Sequence, residues 1–249
     1  MVKRAFDVIA VTIGLVVASP ILLPVMFLVW WQDRHSPFYV APRTGKDDVP
    51  FRMVKLRSMV VNADKSGVDS TGANDRRITA VGRFIRRTKL DELTQLWNVL
   101  KGDMSLVGPR PNVKRETDLY TPVERGLLTV KPGITDFASL VFADEGDILK
   151  DETDPDIAYN QLIRPGKGML GLFYIQRRSF SVDLYVCFLT AMAIVSRQRM
   201  LRRLQALLSS LGAPPELLTL ARRSTSLVPM PPPGATRIVT SRDGSIGVS

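Results

Sequence analysis

The stretch Leu90–Gly102, LDELTQLWNVLKG, decides the local fold and the chemistry that the rest of the chain must support. Its apolar side chains recur at helical spacing on one stripe, and its polar side chains lie on another face. The apolar set is Leu90, Leu93, Leu96, Trp97 and Leu100, and the polar set is Asp91, Thr94, Gln95 and Asn98. The pattern predicts one amphipathic helix that is capped at Thr88 and ends at Gly102.

Two adjacent acids, Asp91 and Glu92, begin this helix. They have two interpretations. Carboxylates in a first turn complement the helix dipole without any further role. A carboxylate near a helix N-terminus and several arginines is also kept ionised, as a nucleophile or a magnesium ligand must be.

Cations surround the acidic pair in the sequence. A short helix predicted over Ile78–Arg87 places Arg83, Arg86 and Arg87 on one side, where Arg86 and Arg87 would hold phosphate oxygens. Farther on, Pro109 and Pro111 fix the backbone around Arg110. An arginine held in this way suits a phosphate site, although an exposed turn with an idle arginine has the same sequence.

The segment Ala5–Trp31 is apolar and would form a helix of roughly 40 Å, longer than the hydrocarbon core of a bilayer. Ser19 and Pro20 interrupt it, and a proline inside a helix predicts a bend or a break. Basic residues flank both ends, which the positive-inside rule assigns to the cytoplasm. A re-entrant helix that enters and leaves on the same face satisfies both observations, and a simple spanning helix is the alternative.

Composition limits the remaining choices. The 249 residues carry a net charge of +10, which indicates an anionic partner such as a phosphorylated substrate, a phospholipid bilayer or nucleic acid. One cysteine, Cys187, and one histidine, His35, exclude an internal disulfide and a soft zinc site within the chain. Any metal is expected to be a hard ion held by carboxylates.

The other segments have simpler patterns. Strands at Pro37–Ala41 and Phe51–Met59 predict a hairpin, and Val61–Asp75 predicts a mobile loop. Asp183–Leu211 predicts an apolar helix that becomes basic and amphipathic, as in a helix lying on anionic lipid. A bundle helix, or a contact between two copies in a homodimer, would show the same pattern. The segment Asp147–Asp156 is acidic without ordered ligand spacing, which favours a solvated loop.

Several ordered motifs resemble the monotopic phosphoglycosyl transferases, also called bacterial sugar transferases. The resemblance runs from about residue 3 to residue 195. The sequence departs from the family pattern after Thr135, in a segment that would help to select the sugar. The motifs are Lys3 to Asp7, Ser19-Pro20, Lys55 to Met59, Leu90 to Leu93 with Gln95 to Ser105, Val107 to Pro111, Lys131 to Thr135, and Ser179 to Leu184.

The resemblance implies transfer of a sugar-1-phosphate from a UDP-sugar to polyprenyl phosphate, with release of UMP. It implies that Asp91 is the nucleophile of a covalent phosphosugar intermediate, that Glu92 assists, and that magnesium (Mg2+) is bound at Asp91. The basic residues Lys55, Arg57, Arg86 and Arg110 would bind phosphate, with Asp183 in a supporting role. The reaction would take place at the cytoplasmic face of the bacterial inner membrane.

Together these patterns predict an α+β fold, mostly helical, with a re-entrant helix, a short β-hairpin and interfacial amphipathic helices. The expected domains are 1–35 for the membrane helix, 36–211 for catalysis and 212–249 for a flexible tail. A membrane-tethered protein that binds nucleic acid with its basic patch is an alternative. It is disfavoured because one aromatic residue, Phe84, lies among the arginines and because the acidic pair would repel phosphate. An inactive scaffold would not need both acids.

Overall fold

The computed structural model describes residues 2–63 and 75–241. It separates into two compact units, of which the first is Met1–Arg43 with Val49–Leu106 and the second is Thr44–Asp48 with Val107–Ser249. The predicted mostly helical α+β composition is confirmed. The mobile loop predicted over Val61–Asp75 lies largely outside the described residues.

The first unit places three short helices and a β-hairpin beside a long N-terminal helix. Strands β1 and β2 pair, which confirms the predicted hairpin. The elements are α1 (Val2–Asp33), β1 (Phe38–Thr44), β2 (Pro50–Leu56), α2 (Ala80–Arg87), α3 (Leu90–Leu93) and α4 (Leu96–Lys101).

Helix α1 continues without a break through Ser19 and Pro20. Proline has no N–H to donate to the carbonyl four residues earlier, which here belongs to Val16. The Ser19 hydroxyl donates to that carbonyl oxygen at 2.8 Å and so satisfies it. This local bond explains how the helix tolerates a proline at its midpoint, and the predicted break is not seen in its backbone.

One side of α1 packs on the first unit, and most of its remaining surface is exposed and apolar. Leu22, Val25 and Val29 form a buried cluster with Leu56 and Ile85. Of the most apolar stretch of 18 residues in α1, only 17% is buried within the protein. The helix is long and apolar enough to enter a membrane. Its large exposed apolar surface is what such an insertion would cover.

Helix α2 approaches the end of the hairpin closely at Gly82. A Cβ atom there would lie 1.8 Å from the Ser58 carbonyl oxygen, which also accepts from Thr79 N. We expect Gly82→Ala to lower the free energy of unfolding by about 1–3 kcal/mol, because α2 must move away from Ser58. Denaturant unfolding in detergent measures this loss. Gly146→Ala is the control, since nothing lies within 4 Å of its Cβ position; an equal loss there would contradict the expectation.

The second unit is built from short helices and turns around two longer helices, α9 (Arg164–Arg177) and α10 (Phe180–Val195). Strand β4 (Gly133–Thr135) is bonded to the residue that follows β3 (Ser105–Val107), since Gly108 N donates to Thr135 O at 3.0 Å. The elements that follow α4 are β3 (Ser105–Val107), α5 (Lys114–Asp118), β4 (Gly133–Thr135), α6 (Phe137–Val141), α7 (Glu145–Ile148), α8 (Pro155–Ala158), α9 (Arg164–Arg177), α10 (Phe180–Val195), α11 (Arg197–Ser210) and α12 (Pro215–Arg222).

A buried ion pair joins α9 to the short 3-10 helix Glu124–Thr129. Arg164 donates from Nε to Glu124 Oε1 at 2.9 Å and from Nη2 to Oε2 at 2.7 Å. Thr121 N donates to the same carboxylate at 2.9 Å. Both charged side chains are buried, so their mutual pairing is needed to offset the loss of water.

The single helix predicted over Asp183–Leu211 is wrong, because Ser196 separates α10 from α11. Its backbone is extended (φ −156°, ψ 102°), and its side chain caps α11 by accepting from Arg199 N. The apolar face of α11, predicted to lie on lipid, packs inside the second unit instead. Its buried side chains are Met200, Leu201, Leu204 and Leu208.

The segment after residue 211, for which the composition predicts a flexible tail, has specific contacts up to Ser241. It contains α12, and Val239 is buried. Met230 N donates to Gln161 O at 3.0 Å, and Gln161 Nε2 donates to Val239 O at 2.7 Å. Prolines lower the entropy that such a segment loses on docking, so a proline-rich composition is compatible with a packed chain.

Candidate active site

A left-handed residue places the acidic pair at the start of α3. Lys89 has φ 54° and ψ 25° and turns the chain from α2 into α3. The predicted Thr88 N-cap is wrong, because the Thr88 hydroxyl donates to Phe84 O at 2.8 Å and Thr88 ends α2. Asp91 and Glu92 therefore begin a helix that has no side-chain cap of its own.

The predicted helix over 90–102 is divided into α3 and α4. Gln95 N donates to Glu92 O, three residues earlier, so the chain tightens into a 3-10 turn between the two helices. Gly102, with φ 91°, ends α4 as predicted. Trp97, expected on the apolar stripe, is exposed, whereas Asn98, expected on the polar face, is fully buried.

Asn98 and Thr94 attach this segment to strand β2. Asn98 Oδ1 accepts from Val54 N at 2.9 Å, and Asn98 Nδ2 donates to Arg52 O at 2.6 Å. The Thr94 hydroxyl donates to Val54 O at 3.2 Å. Both polar groups of Val54 are thus held, which fixes the register of β2 and with it the neighbouring Lys55.

The Asp91 carboxyl group is half-buried and interacts with the charges of Lys55, Arg86 and Glu92. Burial raises its pKa above the ordinary value of 3.8, Lys55 and Arg86 lower that pKa, and Glu92 raises it. The lysine and the arginine therefore favour the ionised carboxylate, while the desolvated position keeps it more basic than an exposed aspartate. A basic, ionisable oxygen beside two cations is suited to react with a phosphate.

Arg86 is held in place within the first unit. Its Nε donates to the Ser58 hydroxyl at 2.9 Å, and burial lowers the pKa of its guanidinium. Lys55 and Arg86 are thus the two predicted phosphate ligands that the structure brings to Asp91.

Arg57 has a different environment. Its guanidinium binds both carboxylate oxygens of Asp33, at 2.5 and 2.7 Å, and its Nε donates to Ser36 O at 2.8 Å. The side chain is buried. These contacts join the residue after β2 to the end of α1. The guanidinium is thus hydrogen-bonded to groups of the protein itself.

Arg110 and Asp183 belong to the second unit. Arg110 lines a small cleft with Asn112 and Tyr120. Asp183 is buried at the start of α10 and accepts from the Tyr174 hydroxyl at 2.5 Å. Burial raises the pKa of Tyr174, and the adjacent Asp183 raises it further, so the hydroxyl remains a donor.

The first turn of α1 carries contacts that sequence patterns did not predict. Arg4 donates to the carbonyl oxygens of Val99 and Leu100, where α4 ends, as cations commonly do at helix C-termini. The Ser105 hydroxyl donates to the buried Asp7 at 2.7 Å. The sequence signals here were the charged Asp7 inside an apolar segment and the family motif Lys3 to Asp7.

The donor set near Asp91 fits magnesium. Among the described residues, no three His, Cys, Asp or Glu side chains come together. Mg2+ does not need such a cluster, because it commonly binds one or two carboxylates together with waters and substrate phosphates. Asp91 and Glu92 supply hard oxygens of this kind.

Comparisons with known proteins identify the family. Residues 1–197 match the family model described as bacterial sugar transferase. The chain is 32% identical over 198 residues to the UDP-N-acetylgalactosamine-undecaprenyl-phosphate N-acetylgalactosaminephosphotransferase of Aeromonas hydrophila, covering 78% of this chain and 44% of the relative. It is 36% identical over 192 residues to the UDP-glucose:undecaprenyl-phosphate glucose-1-phosphate transferase of Klebsiella pneumoniae, covering 76% of this chain and 39% of the relative.

A third relative is closer in length. The exopolysaccharide production protein ExoY of Rhizobium meliloti is 37% identical over 150 residues, which is 54% of this chain and 66% of the relative. The chain thus spans less than two thirds of each of these three relatives. The family model covers most of the chain, so the protein belongs to the bacterial sugar transferase family.

Proposed function

We propose that the protein transfers a sugar-1-phosphate from a UDP-sugar to polyprenyl (undecaprenyl) phosphate and releases UMP. Family membership supports the proposal. The names of the Aeromonas and Klebsiella relatives describe transfer of sugar phosphates to undecaprenyl phosphate, and ExoY is named for exopolysaccharide production. We propose that this transfer is the first membrane step of glycan assembly.

The proposed reaction has two displacements. An Asp91 oxygen attacks the β-phosphorus of the donor, the bond from that phosphorus to the bridging oxygen breaks, and UMP leaves with the bonding electrons. A phosphate oxygen of the lipid then attacks the phosphorus of the phosphosugar–Asp91 intermediate, and the bond from that phosphorus to the Asp91 oxygen breaks. This step gives polyprenyl diphosphate sugar and regenerates the Asp91 carboxylate. Glu92 accepts the acceptor's proton or positions the lipid phosphate.

The single observation that carries this proposal is the half-buried Asp91 beside Lys55 and Arg86. The two cations bind oxygens of the β-phosphate and stabilise the charge that develops there. Magnesium held at Asp91 would neutralise further diphosphate charge. Arg110, fixed between two prolines, is proposed as a further phosphate ligand.

UMP release tests the reaction. The full-length protein in detergent is incubated with magnesium, undecaprenyl phosphate and each of a panel of UDP-sugars. We expect release with one or a few donors and formation of the matching lipid-linked sugar phosphate. Failure of every UDP-sugar, with the protein shown to be folded, would contradict the proposed donor class.

The pH dependence of UMP release should report the environment of Asp91. The ionised form reacts, so kcat/KM falls as pH falls through the pKa of Asp91, which lies above 3.8. Lys55→Gln removes a charge that lowers this pKa, so we expect its acid limb at higher pH than in the parent. Lys150→Gln, at an exposed site, is the control. An acid limb that stays in place in Lys55→Gln would contradict this electrostatic role.

We also propose that α1 is re-entrant at the cytoplasmic face of the inner membrane. Its exposed apolar surface supports insertion into a membrane. The bonds of Arg4 and Asp7 at its beginning and of Asp33 at its end tie both ends to the first unit, which supports placing them on the same face. With Cys187→Ser as background, Val2→Cys and His35→Cys should both resist a membrane-impermeant maleimide in intact cells and react after permeabilisation. Labelling of one end alone in intact cells would instead place α1 across the bilayer.

A further inference from the structure

An open groove of about 600 Å³ lies between α10 and α11 in the second unit. Its volume is in the range of small-molecule sites. The α10 wall is apolar, and the α11 wall is cationic. Its main lining residues are Phe188, Met192 and Val195 on α10, and Arg199, Arg202 and Arg203 on α11.

Helical spacing produces the two walls. On α10, Met192 follows Phe188 by four residues and Val195 follows Met192 by three, so the apolar side chains lie on one face. On α11, Arg202 and Arg203 follow Arg199 by three and four residues, so the arginines also share a face. The extended backbone at Ser196 interrupts the helix and changes the direction of the chain between α10 and α11. Buried Leu204 and Leu208 hold α11 in the bundle, which leaves the arginine face outward.

Both walls are accessible. Phe188 is 48% exposed and Val195 is 84% exposed, which is unusual for large apolar side chains in a packed corner. The three arginines that line the other wall are also exposed. Arg197 pairs with Asp144 at 2.8 Å, whereas no ion pair within the described residues involves the three groove arginines.

We propose that this groove binds an anionic phospholipid of the bilayer, with its phosphate against Arg199, Arg202 and Arg203 and an acyl chain along α10. Free phosphate would satisfy the cations but leave the apolar wall exposed to water. A zwitterionic lipid would satisfy the apolar wall but gain less from three positive charges. None of the residues proposed to carry the transfer reaction lines this groove. Its three arginines lie beyond residue 197, where the family match ends.

A photoactivatable acyl chain tests the site directly. Trace phosphatidylglycerol carrying the label is added to vesicles of phosphatidylcholine that contain the full-length protein, and labelled positions are mapped by mass spectrometry. A phosphatidylcholine probe with the same label is the lipid control. We expect labelling on α10 and α11 from the anionic probe to exceed that from the zwitterionic probe.

Two triple variants separate this site from general charge. Arg199→Gln/Arg202→Gln/Arg203→Gln should lower labelling of the groove by the anionic probe by up to about 100-fold, from about fivefold for each cation near an anionic headgroup. The control Arg52→Gln/Lys150→Gln/Arg178→Gln removes the same charge from exposed positions and should label like the parent. Circular dichroism confirms that both variants are folded.

Three results would overturn the proposal. One is equal groove labelling by the two probes, and another is an unchanged pattern in the groove variant. The third is loss of labelling when undecaprenyl phosphate is added in an amount equal to the labelled phosphatidylglycerol, which would assign the groove to undecaprenyl phosphate. UMP release by the groove variant is measured in parallel, because failure of the proposed reaction would affect turnover and leave probe labelling unchanged.

Discussion

Asp91→Asn is expected to reduce UMP release by about 10⁴-fold or more, the scale on which loss of a covalent nucleophile lowers turnover. The amide keeps the size and shape of the side chain but has no charged oxygen to attack phosphorus. Incubation of the parent with donor and magnesium, without lipid acceptor, should give a protein mass increased by one sugar phosphate. Peptide mapping should place that mass on Asp91, and the variant should lack it.

The control for this substitution is Asp118→Asn. It removes the same charge from an exposed aspartate whose partner is Lys114, four residues earlier on α5, and activity should be retained. Turnover that persists in Asp91→Asn, with no adduct on the parent, would exclude the covalent route. Glu92→Gln should still form the adduct but transfer it slowly to the lipid, if Glu92 serves the second displacement.

Glu124→Ala is expected to give the largest loss of stability, about 3–5 kcal/mol, because it leaves Arg164 buried without its charge partner. The substitution also removes the acceptor of Thr121 N. A loss of this size is a large fraction of the roughly 5–15 kcal/mol that stabilises an ordinary folded protein. Chemical denaturation in detergent, followed by circular dichroism, measures it.

Two further variants show whether the pair or its individual charges matter. Asp118→Ala breaks the exposed Lys114–Asp118 pair and should leave the unfolding midpoint unchanged, since exposed pairs add little. Glu124→Ala combined with Arg164→Met removes both buried charges and should recover part of the lost stability. No recovery in the double variant would show that packing, not the unpaired charge, causes the loss.

Sequence patterns predicted the elements of the site better than its contacts. The hairpin, the helix before Lys89 and the end at Gly102 follow from local preferences for strands, helices and left-handed glycine. Such preferences describe a residue in its own segment. They therefore placed Asp91 near cations, but they did not show which cations approach it.

Long-range polar partners explain the differences. The family resemblance assigned a phosphate-binding role to Arg57, and local sequence gave no sign that its guanidinium binds Asp33, 24 residues earlier. Asn98 was placed on a polar surface, yet its amide bonds to β2 across 44 residues. A pattern of polar and apolar residues shows that a side chain needs a partner, and tertiary structure decides whether that partner is water or backbone.

The break at Ser196 has a related cause. Apolar and basic residues continue at helical spacing through this position, so periodicity alone gives no reason to end the helix. Burial of Leu204 and Leu208 within the bundle favours a change of direction at Ser196, and the serine cap makes the new helix start less costly. The groove lies between the two helices that meet at this position.

The contacts of Arg4 and Asp7 have a consequence for how the anchor responds to extraction from lipid. Helix ends normally fray, because their terminal groups lack partners. Here the beginning of α1 is bonded to the end of α4 and to Ser105. The anchor should therefore melt together with the helices that carry the acidic pair, in one cooperative transition, and a detergent harsh enough to peel it away would also inactivate the protein.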